Sequence, residues 1–233
     1  MALESTLGCE RCKNYDTCVQ TVPIFSSLNV EETLEIKGII RNIQLDRGEA
    51  LFFPGDVSQK LYIINNGKLK VSRLSESGKE QVIRILEPGD FIGEISLFTR
   101  SPIKSYAEAL EDTGICTIDG ENLEIIMTKY PQIAIKILEE VSKRLEGAES
   151  TIEQIGLYDT GHRIAKRLLM MSSDNRRISL TMSKRDFASS MGMTQETLSR
   201  KLSEFQNMGL IELHGQRDID IIDRAGLEDV ISI

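Results

Sequence analysis

The sequence lacks an uninterrupted apolar run of about 18 residues, which is the length that a membrane-spanning helix requires. Residues 1–16 are polar and rich in acids, so they also lack the apolar core of a secretory signal peptide. These absences argue against a membrane protein and an exported protein. They predict a cytoplasmic protein with no membrane partner.

Signatures of catalysis are also scarce. The chain has only two histidines, His162 and His214, and both are far in sequence from every cysteine. No phosphate-binding loop and no pair of candidate catalytic carboxylates stands out. We therefore predict a binding protein and not an enzyme.

The excess of acidic residues gives a net charge of −8, which would disfavour nucleic acid as a partner of the whole chain. The charge is unevenly distributed, however, because residues 162–217 carry ten basic and five acidic side chains. A locally basic segment can bind phosphate even on an acidic chain. The alternative is a mildly basic surface without a partner.

Four patterns divide the 233 residues and predict an α+β protein. Short β-type runs separated by turns predict an antiparallel β-barrel or jelly roll. These runs are Ala50–Phe53, Lys60–Ile64, Leu69–Leu74, Gln81–Leu86 and Gly114–Ile118. The predicted segments are a cysteine-rich N-terminal segment (1–20), a β-barrel sensory domain (21–130), a dimerisation helix (131–157) and a winged helix-turn-helix domain (158–233). The β-barrel domain is predicted to open with a helix over residues 21–40.

The predicted dimerisation helix has apolar residues at alternating spacings of four and three. This is an uninterrupted a/d heptad pattern over about three heptads, which favours a two-stranded coiled coil. The alternative is a helix packed on its own domain, but the narrow stripe and its charged flanks favour dimerisation. The predicted dimer seam consists of Ala134, Leu138, Val141, Leu145, Ala148, Ile152 and Ile155.

The C-terminal segment has the signals of a helix-turn-helix. Ser183 can cap a first helix over Lys184–Ser190, and Gly192 lies in the short turn that follows. Thr194 can then cap a second helix, about Gln195 to Asn207, which Gly209 ends. A strand-like run before the first helix and a β-hairpin near residues 210–222 complete a winged helix-turn-helix.

Polar residues near the start of the second helix share one face, at spacings i, i+3 and i+4. Arg200 can donate two hydrogen bonds to guanine, Glu196 can accept one from cytosine, and Ser199 can contact a base or a phosphate. The alternative is an ordinary solvated helix face. Phosphate contacts are predicted for Lys184, Arg185 and Lys201.

The cysteines form a second candidate site. Cys9, Cys12 and Cys18 have the spacing C-x2-C-x5-C, and Cys116 lies at the end of the predicted barrel. Four thiolates can hold a [4Fe–4S] cluster or zinc, and Cys-x2-Cys also occurs in redox motifs. Cysteines with no sensory role are a further alternative.

Three runs of residues make the sequence resemble the CRP/FNR family over nearly the whole chain. The resemblance implies a cyclic-nucleotide-binding-like barrel, a homodimer, double-stranded DNA and RNA polymerase as partners, and the function of a transcription activator. The Glu-x-x-Ser-Arg pattern resembles the FNR branch, whose members read inverted repeats with TTGAT half-sites, whereas the CRP branch has glycine in place of Ser199. The three runs are Pro88-Gly89-Asp90-Phe91-Ile92-Gly93-Glu94, Gly161-His162-Arg163-Ile164-Ala165 and Thr194-Gln195-Glu196-Thr197-Leu198-Ser199-Arg200.

The resemblance extends to the cysteines. The N-terminal spacing resembles that of the FNR branch, and Cys116 falls where that branch has its fourth ligand. It therefore implies one oxygen-labile [4Fe–4S] cluster per protomer, with Cys9, Cys12, Cys18 and Cys116 as ligands. The implied function is oxygen-responsive control of DNA binding. The alternative is control of the same fold by a thiol–disulfide switch or by a small ligand such as a cyclic nucleotide.

Control by a cyclic nucleotide is disfavoured by the residues at the expected pocket. Gly93-Glu94 resembles the start of the phosphate cassette of cyclic-nucleotide-binding relatives, which also needs an arginine for the cyclic phosphate. This chain has Lys104 there, and lysine cannot replace a bidentate arginine. Ala148 and Glu149 stand where hydroxyl side chains would reach an adenine. We therefore expect Glu94 to have a structural function.

Overall fold

The computed structural model describes residues 22–172, 176–215 and 217–232. It divides into two compact units, the first ending at Lys143 and the second beginning at Arg144. The predicted α+β fold class is confirmed, with a jelly-roll-like β domain, long helices and a C-terminal winged helix-turn-helix. The separate dimerisation helix over residues 131–157 stays a prediction, and Cys9, Cys12 and Cys18 lie outside the described residues.

Two antiparallel sheets form the β domain, with strand orders β1-β8-β3-β6 and β2-β7-β4-β5. Side chains of both sheets share one core, in which Ile64 and Ile115 of the first sheet join Leu69 and Ala107 of the second. The strands are β1 (Arg41–Leu45), β2 (Ala50–Phe52), β3 (Lys60–Asn66), β4 (Leu69–Leu74), β5 (Glu80–Leu86), β6 (Phe91–Ile92), β7 (Tyr106–Ala109) and β8 (Thr113–Asp119).

The predicted β-type runs all become strands, whereas β1, β6 and β7 were not predicted. Strand β6 has two residues, which is too short for an alternating pattern to be read. Strand β7 has the sequence Tyr-Ala-Glu-Ala, which lacks the β-branched residues typical of strands. Both form because neighbouring strands supply their hydrogen-bond partners.

Helices cover the outer face of the first sheet. They are α1 (Val30–Ile39), α2 (Glu94–Thr99), α3 (Gly120–Lys129) and α4 (Pro131–Leu157). Helix α1 begins later than the predicted helix over residues 21–40, because Asn29 caps it. The Asn29 side chain accepts a hydrogen bond from the Glu32 backbone at 3.0 Å, and the Glu32 carboxylate accepts one from the Asn29 backbone at 2.8 Å.

Helix α4 has two apolar faces. Ile133 and Ile137 are buried in the core of the first unit. The residues of the predicted seam lie on another face and are exposed, with Leu138 at 64%, Leu145 at 60% and Ile152 at 72%. The predicted seam therefore remains uncovered within one protomer.

Among the described residues, none of the helices has the length and apolar character of a membrane-spanning segment.

The second unit is a winged helix-turn-helix around one core, to which Phe187, Leu198 and Ile219 belong. The helix-turn-helix bounds agree with the predicted ones, and helix α8 was missed. The elements are α5 (Thr160–Ser172), β9 (Arg177–Ser179), α6 (Lys184–Ser190), α7 (Gln195–Asn207), β10 (Ile211–His214), β11 (Asp218–Ile221) and α8 (Arg224–Ser232). The three strands form a sheet in the order β10-β11-β9.

The exposed face of α4 predicts that Leu145→Asp produces monomers. A charge buried without a partner in a coiled-coil seam is strongly destabilising. Leaving one charge of a buried ion pair without its partner costs about 3–5 kcal/mol. Sedimentation of the variant at micromolar concentration should show one protomer, and DNA binding should be lost. Ser150→Asp introduces the same charge on the opposite face of α4 and should remain a dimer.

Because the predicted seam has no charged residue, nothing in it repels a second copy. We expect dimers with and without the implied cluster. A shift of the wild-type protein to monomers on exposure to air would contradict this expectation.

Candidate functional site

The first helix of the helix-turn-helix is fixed by its predicted cap. The Ser183 hydroxyl accepts a hydrogen bond from the Asp186 backbone at 3.1 Å and donates one to the Asp186 carboxylate at 2.6 Å. Asp186, Phe187 and Ala188 are buried, so α6 packs tightly on the core. This packing fixes the start of the turn that leads to α7.

Helix α7 presents different side chains to the core and to solvent. Thr194 caps it, since its hydroxyl accepts a hydrogen bond from the Thr197 backbone at 3.2 Å. The inward residues Leu198, Leu202 and Phe205 are buried. The outward residues Glu196, Ser199 and Arg200 are exposed on one face. The structure thus brings the three predicted base-contacting residues together, and their contact with DNA stays a prediction.

The predicted phosphate-contacting residues flank that face but differ in their surroundings. Arg185 is exposed, whereas Lys184 and Lys201 are partly buried. The Lys201 ammonium is 2.9 and 3.0 Å from the carboxylate oxygens of Glu204. A phosphate would have to compete with this carboxylate, but a surface ion pair of this kind is worth at most about 1 kcal/mol.

Cys116 lies on β8, on the side of the sheet that the helices cover. It is 6% exposed and shares a core cluster with Val22 and Phe25. Its thiol donates a hydrogen bond to the Asn42 side-chain oxygen at 3.4 Å, across the β1–β8 pair. Cys18 precedes Val22 by four residues, so the chain can place it at most about 14 Å from Val22.

The segment that follows the N-terminal cysteines is also held by a polar contact. The Glu35 carboxylate of α1 accepts hydrogen bonds from the Lys129 ammonium at 2.7 and 2.5 Å and from the Tyr130 hydroxyl at 2.8 Å. The bond from Lys129, and then that from Tyr130, lowers the pKa of Glu35. The same contacts raise the pKa of Lys129. They fasten α1 to the end of α3.

Within the described residues, no group of three or more His, Cys, Asp or Glu side chains could hold a metal ion. Three of the four proposed ligands, Cys9, Cys12 and Cys18, lie outside the described residues, so the proposed ligand set stays a prediction. Cys116 is the one proposed ligand that the structure describes.

Comparison with known proteins identifies both units. The cyclic nucleotide-binding domain profile matches residues 42–130, and the Crp-like helix-turn-helix profile matches residues 162–230. The anaerobic regulatory protein of Haemophilus influenzae is 30% identical, over 95% of this chain and 86% of that protein. The chain belongs to the CRP/FNR family.

Two further similar proteins support the assignment. The fumarate and nitrate reduction regulatory protein of Vibrio cholerae is 28% identical over 97% of this chain and 91% of that protein. The structure of FixK2 from Bradyrhizobium japonicum aligns with a TM-score of 0.69 and 26% identity, over 82% of this chain and 97% of that one. Regulators of this family bind DNA as dimers, so this protein is a DNA-binding transcription regulator.

The β domain of this CRP/FNR regulator contains a cavity of about 180 Å³, lined mainly by β4 and β5, the start of α2 and residues 102–105. Its lining includes Glu94 and Lys104, which the sequence predicted for this pocket, and two arginines that were not predicted, Arg73 and Arg84. Arg84 lies 3.4 Å from the Glu94 carboxylate, and the Glu94 side chain is only 7% exposed. Glu94 thus has an ion-pair partner within the chain, which supports its structural assignment.

The second arginine of the cavity is also in contact with a neighbour, since Arg73 donates a hydrogen bond to the Ser105 hydroxyl at 3.3 Å. Arg73 and Arg84 lie on the adjacent strands β4 and β5. The sequence signal that could have identified these pocket residues is a single arginine in each of two strands that are otherwise rich in apolar residues. Lys104 is exposed at the edge of the cavity.

We predict that cyclic AMP does not stabilise this protein. The Glu94 carboxylate is already paired with Arg84, and Lys104 stands in place of the arginine that would bind the cyclic phosphate. A ligand at about one hundred times its Kd would add about 2.7 kcal/mol to the free energy of unfolding and raise Tm by several degrees. Thermal unfolding with millimolar cyclic AMP should show no shift. A saturable increase in Tm would contradict the prediction, and a cyclic-AMP-dependent family member is the positive control.

Proposed function

We propose that this protein is an oxygen-responsive transcription regulator whose N-terminal sensor holds a [4Fe–4S] cluster on Cys9, Cys12, Cys18 and Cys116. The observation that carries the proposal is the position of Cys116. Its thiol is buried in the same cluster as Val22, which follows Cys18 by four residues. The name of the anaerobic regulatory protein of H. influenzae supports oxygen as the signal.

The donor set fits an iron–sulfur cluster as well as zinc, and the resemblance of the cysteine spacing to that of the FNR branch favours the cluster. Four cysteines with no histidine nearby in sequence supply the thiolates that such a cluster takes. Burial of Cys116 at 6% exposure limits solvent access at the fourth ligand. When bound, the cluster supplies an oxygen-sensitive redox centre at this place.

The chain's own residues explain how a change there reaches the helices. Phe25, Cys116 and Ile133 belong to one hydrophobic core, so residues 22–25, β8 and the start of α4 pack together. If Cys9, Cys12 and Cys18 bound the same iron–sulfur cluster as Cys116, that cluster would tie the N-terminal segment to β8. Loss of the iron–sulfur cluster would remove this tie, while Cys116 would stay on β8.

For DNA recognition, we propose that α7 reads an inverted repeat with TTGAT half-sites. Arg200 would donate to guanine O6 and N7, Glu196 would accept from cytosine N4 of the same base pair, and Ser199 would contact a base or a phosphate. Lys184, Arg185 and Lys201 would contact phosphates. The exposure of all three base-contacting side chains on one face supports this assignment.

The remaining parts of the proposal concern assembly. The exposed seam of α4 would join two protomers, and the dimer would place two recognition helices on the two half-sites. RNA polymerase is the expected partner of an activator of this kind, and the cytoplasm is its expected location.

Two alternatives use the same fold. A thiol–disulfide switch would use the same cysteines without metal. Control by a cyclic nucleotide is favoured by one observation, the match of residues 42–130 to the cyclic nucleotide-binding domain. Both predict a protein without iron.

Anaerobically purified protein should contain about four irons and four sulfides per protomer, with the visible absorbance of an iron–sulfur cluster. Cys12→Ser and Cys116→Ser should abolish that absorbance because each removes a ligand. Thr117→Ser alters the neighbouring residue of β8 without touching a thiol, and it should retain the cluster. A full cluster in Cys116→Ser would show that the fourth ligand is wrong, and iron-free wild-type protein would disprove the cluster.

Arg200→Ala should cost about 1–3 kcal/mol of binding free energy on the TTGAT repeat and relax discrimination at the guanine. Fluorescence anisotropy on repeats with each base at that position measures both effects. Arg185→Ala is the matched control, because losing a phosphate contact weakens binding to every duplex and lowers the salt slope by about one. Equal weakening of Arg200→Ala on specific and random DNA would mean that Arg200 contacts only phosphate.

A further inference from the structure

The turn between α6 and α7 is held by residues that lie outside the helix-turn-helix. The Arg163 guanidinium, on α5, donates a hydrogen bond from Nη1 to the Met191 carbonyl at 3.0 Å. Met191 is the residue at which α6 ends. Arg163 is therefore bonded to the backbone at the point where the chain turns toward the recognition helix.

Gly192 shows how closely this turn is packed. Its φ of +70° lies in the left-handed region that favours glycine. A Cβ at this position would be 3.2 Å from Ile155 Cδ1 and 3.8 Å from Arg163 Nη1. The turn therefore touches two side chains at once, one from the last turns of α4 and one from α5.

The connection between α4 and α5 is itself well ordered. The Asp159 carboxylate accepts a hydrogen bond from the His162 backbone at 2.8 Å, which caps the start of α5. The Tyr158 ring stacks on the His162 ring, with centroids 4.0 Å apart and planes 10° from parallel. These contacts fix the short link between the helices, so Ile155 and Arg163 reach the turn from a defined direction.

The surroundings of Arg163 distinguish it from a residue that contacts phosphate. Its Nε atom is buried and has no hydrogen-bond partner within the described part of the chain. Removing a guanidinium nitrogen from water is unfavourable, and the bond to Met191 compensates only in part. Arg163 is only partly exposed, and its guanidinium is bonded to the Met191 carbonyl, which favours a positioning function over a phosphate contact.

We propose that Arg163 and Ile155 are positioning residues for DNA binding, which clamp the turn at Met191–Gly192 and set the direction in which α7 presents its exposed face. The proposal rests on the DNA-reading face of α7 proposed above, and it does not depend on the cluster. Ile155, the last residue of the predicted seam, then acts within its own protomer. The clamp links the end of the dimerisation helix to the recognition helix.

The test compares Arg163→Gln with Arg167→Gln in the full-length protein. Arg167 lies one turn later on α5 and is exposed, so its substitution removes the same charge without breaking the clamp. The probe is the duplex that wild-type protein selects from a random pool. Failure to recover a TTGAT repeat would refute the proposed operator but leave this test valid.

Arg163→Gln should weaken binding to the selected duplex about tenfold, the affinity equivalent of one lost hydrogen bond to a charged group. Its salt slope should equal that of the wild type, and Arg167→Gln should bind within about threefold of the wild type, as expected for a surface substitution. Unchanged affinity of Arg163→Gln would overturn the proposal. A salt slope reduced by about one would also overturn it, because it would identify a phosphate contact.

A second pair of variants keeps the test decisive if Arg163→Gln lowers Tm. Ile155→Ala should weaken DNA binding at protein concentrations at which sedimentation shows only dimers. Ile152→Ala, three residues earlier in the predicted seam, should weaken the dimer, but its dimers should bind DNA normally. If Ile155→Ala weakens the dimer as much as Ile152→Ala and its dimers bind DNA normally, Ile155 belongs to the seam and the clamp is wrong.

Discussion

The architecture depends on one constraint, that helix α4 has two apolar faces and a single protomer can bury only one. Ile133 and Ile137 fill the core of the first unit, whereas Leu138, Leu145 and Ile152 remain exposed. Burying such leucine and isoleucine side chains is worth about 1.5–3 kcal/mol each. In the proposed dimer, a second copy of the same helix would cover this face, so dimerisation and folding would use separate residues of one helix.

The helix-turn-helix could be predicted from sequence because its signals are local. Ser183 and Thr194 lie directly before the helices they cap, and Gly192 marks the turn. Each signal acts over three or four residues, and the buried residues of α7 repeat at helical spacing. The bounds of α6 and α7 therefore followed without knowledge of the rest of the chain.

The β domain and parts of both sites could not be predicted in the same way. Strands β6 and β7 exist because distant strands pair with them, and neither has a pattern of its own. Arg84 and Arg163 were missed for the same reason, since their partners Glu94 and Met191 are 10 and 28 residues away. The spacing of the cysteines was visible, but the burial of Cys116 beside Val22 required the tertiary structure.

The ion pair of Lys201 with Glu204 has a consequence for how the protein searches DNA. On the proposed interface, a phosphate must displace the carboxylate that already neutralises Lys201. Contact with this lysine would therefore release few of the counterions that are condensed on the DNA. The displaced Glu204 would then repel the backbone equally at every sequence. Such a competitor would shorten residence on every duplex, and it would leave discrimination to the side chains that read base edges.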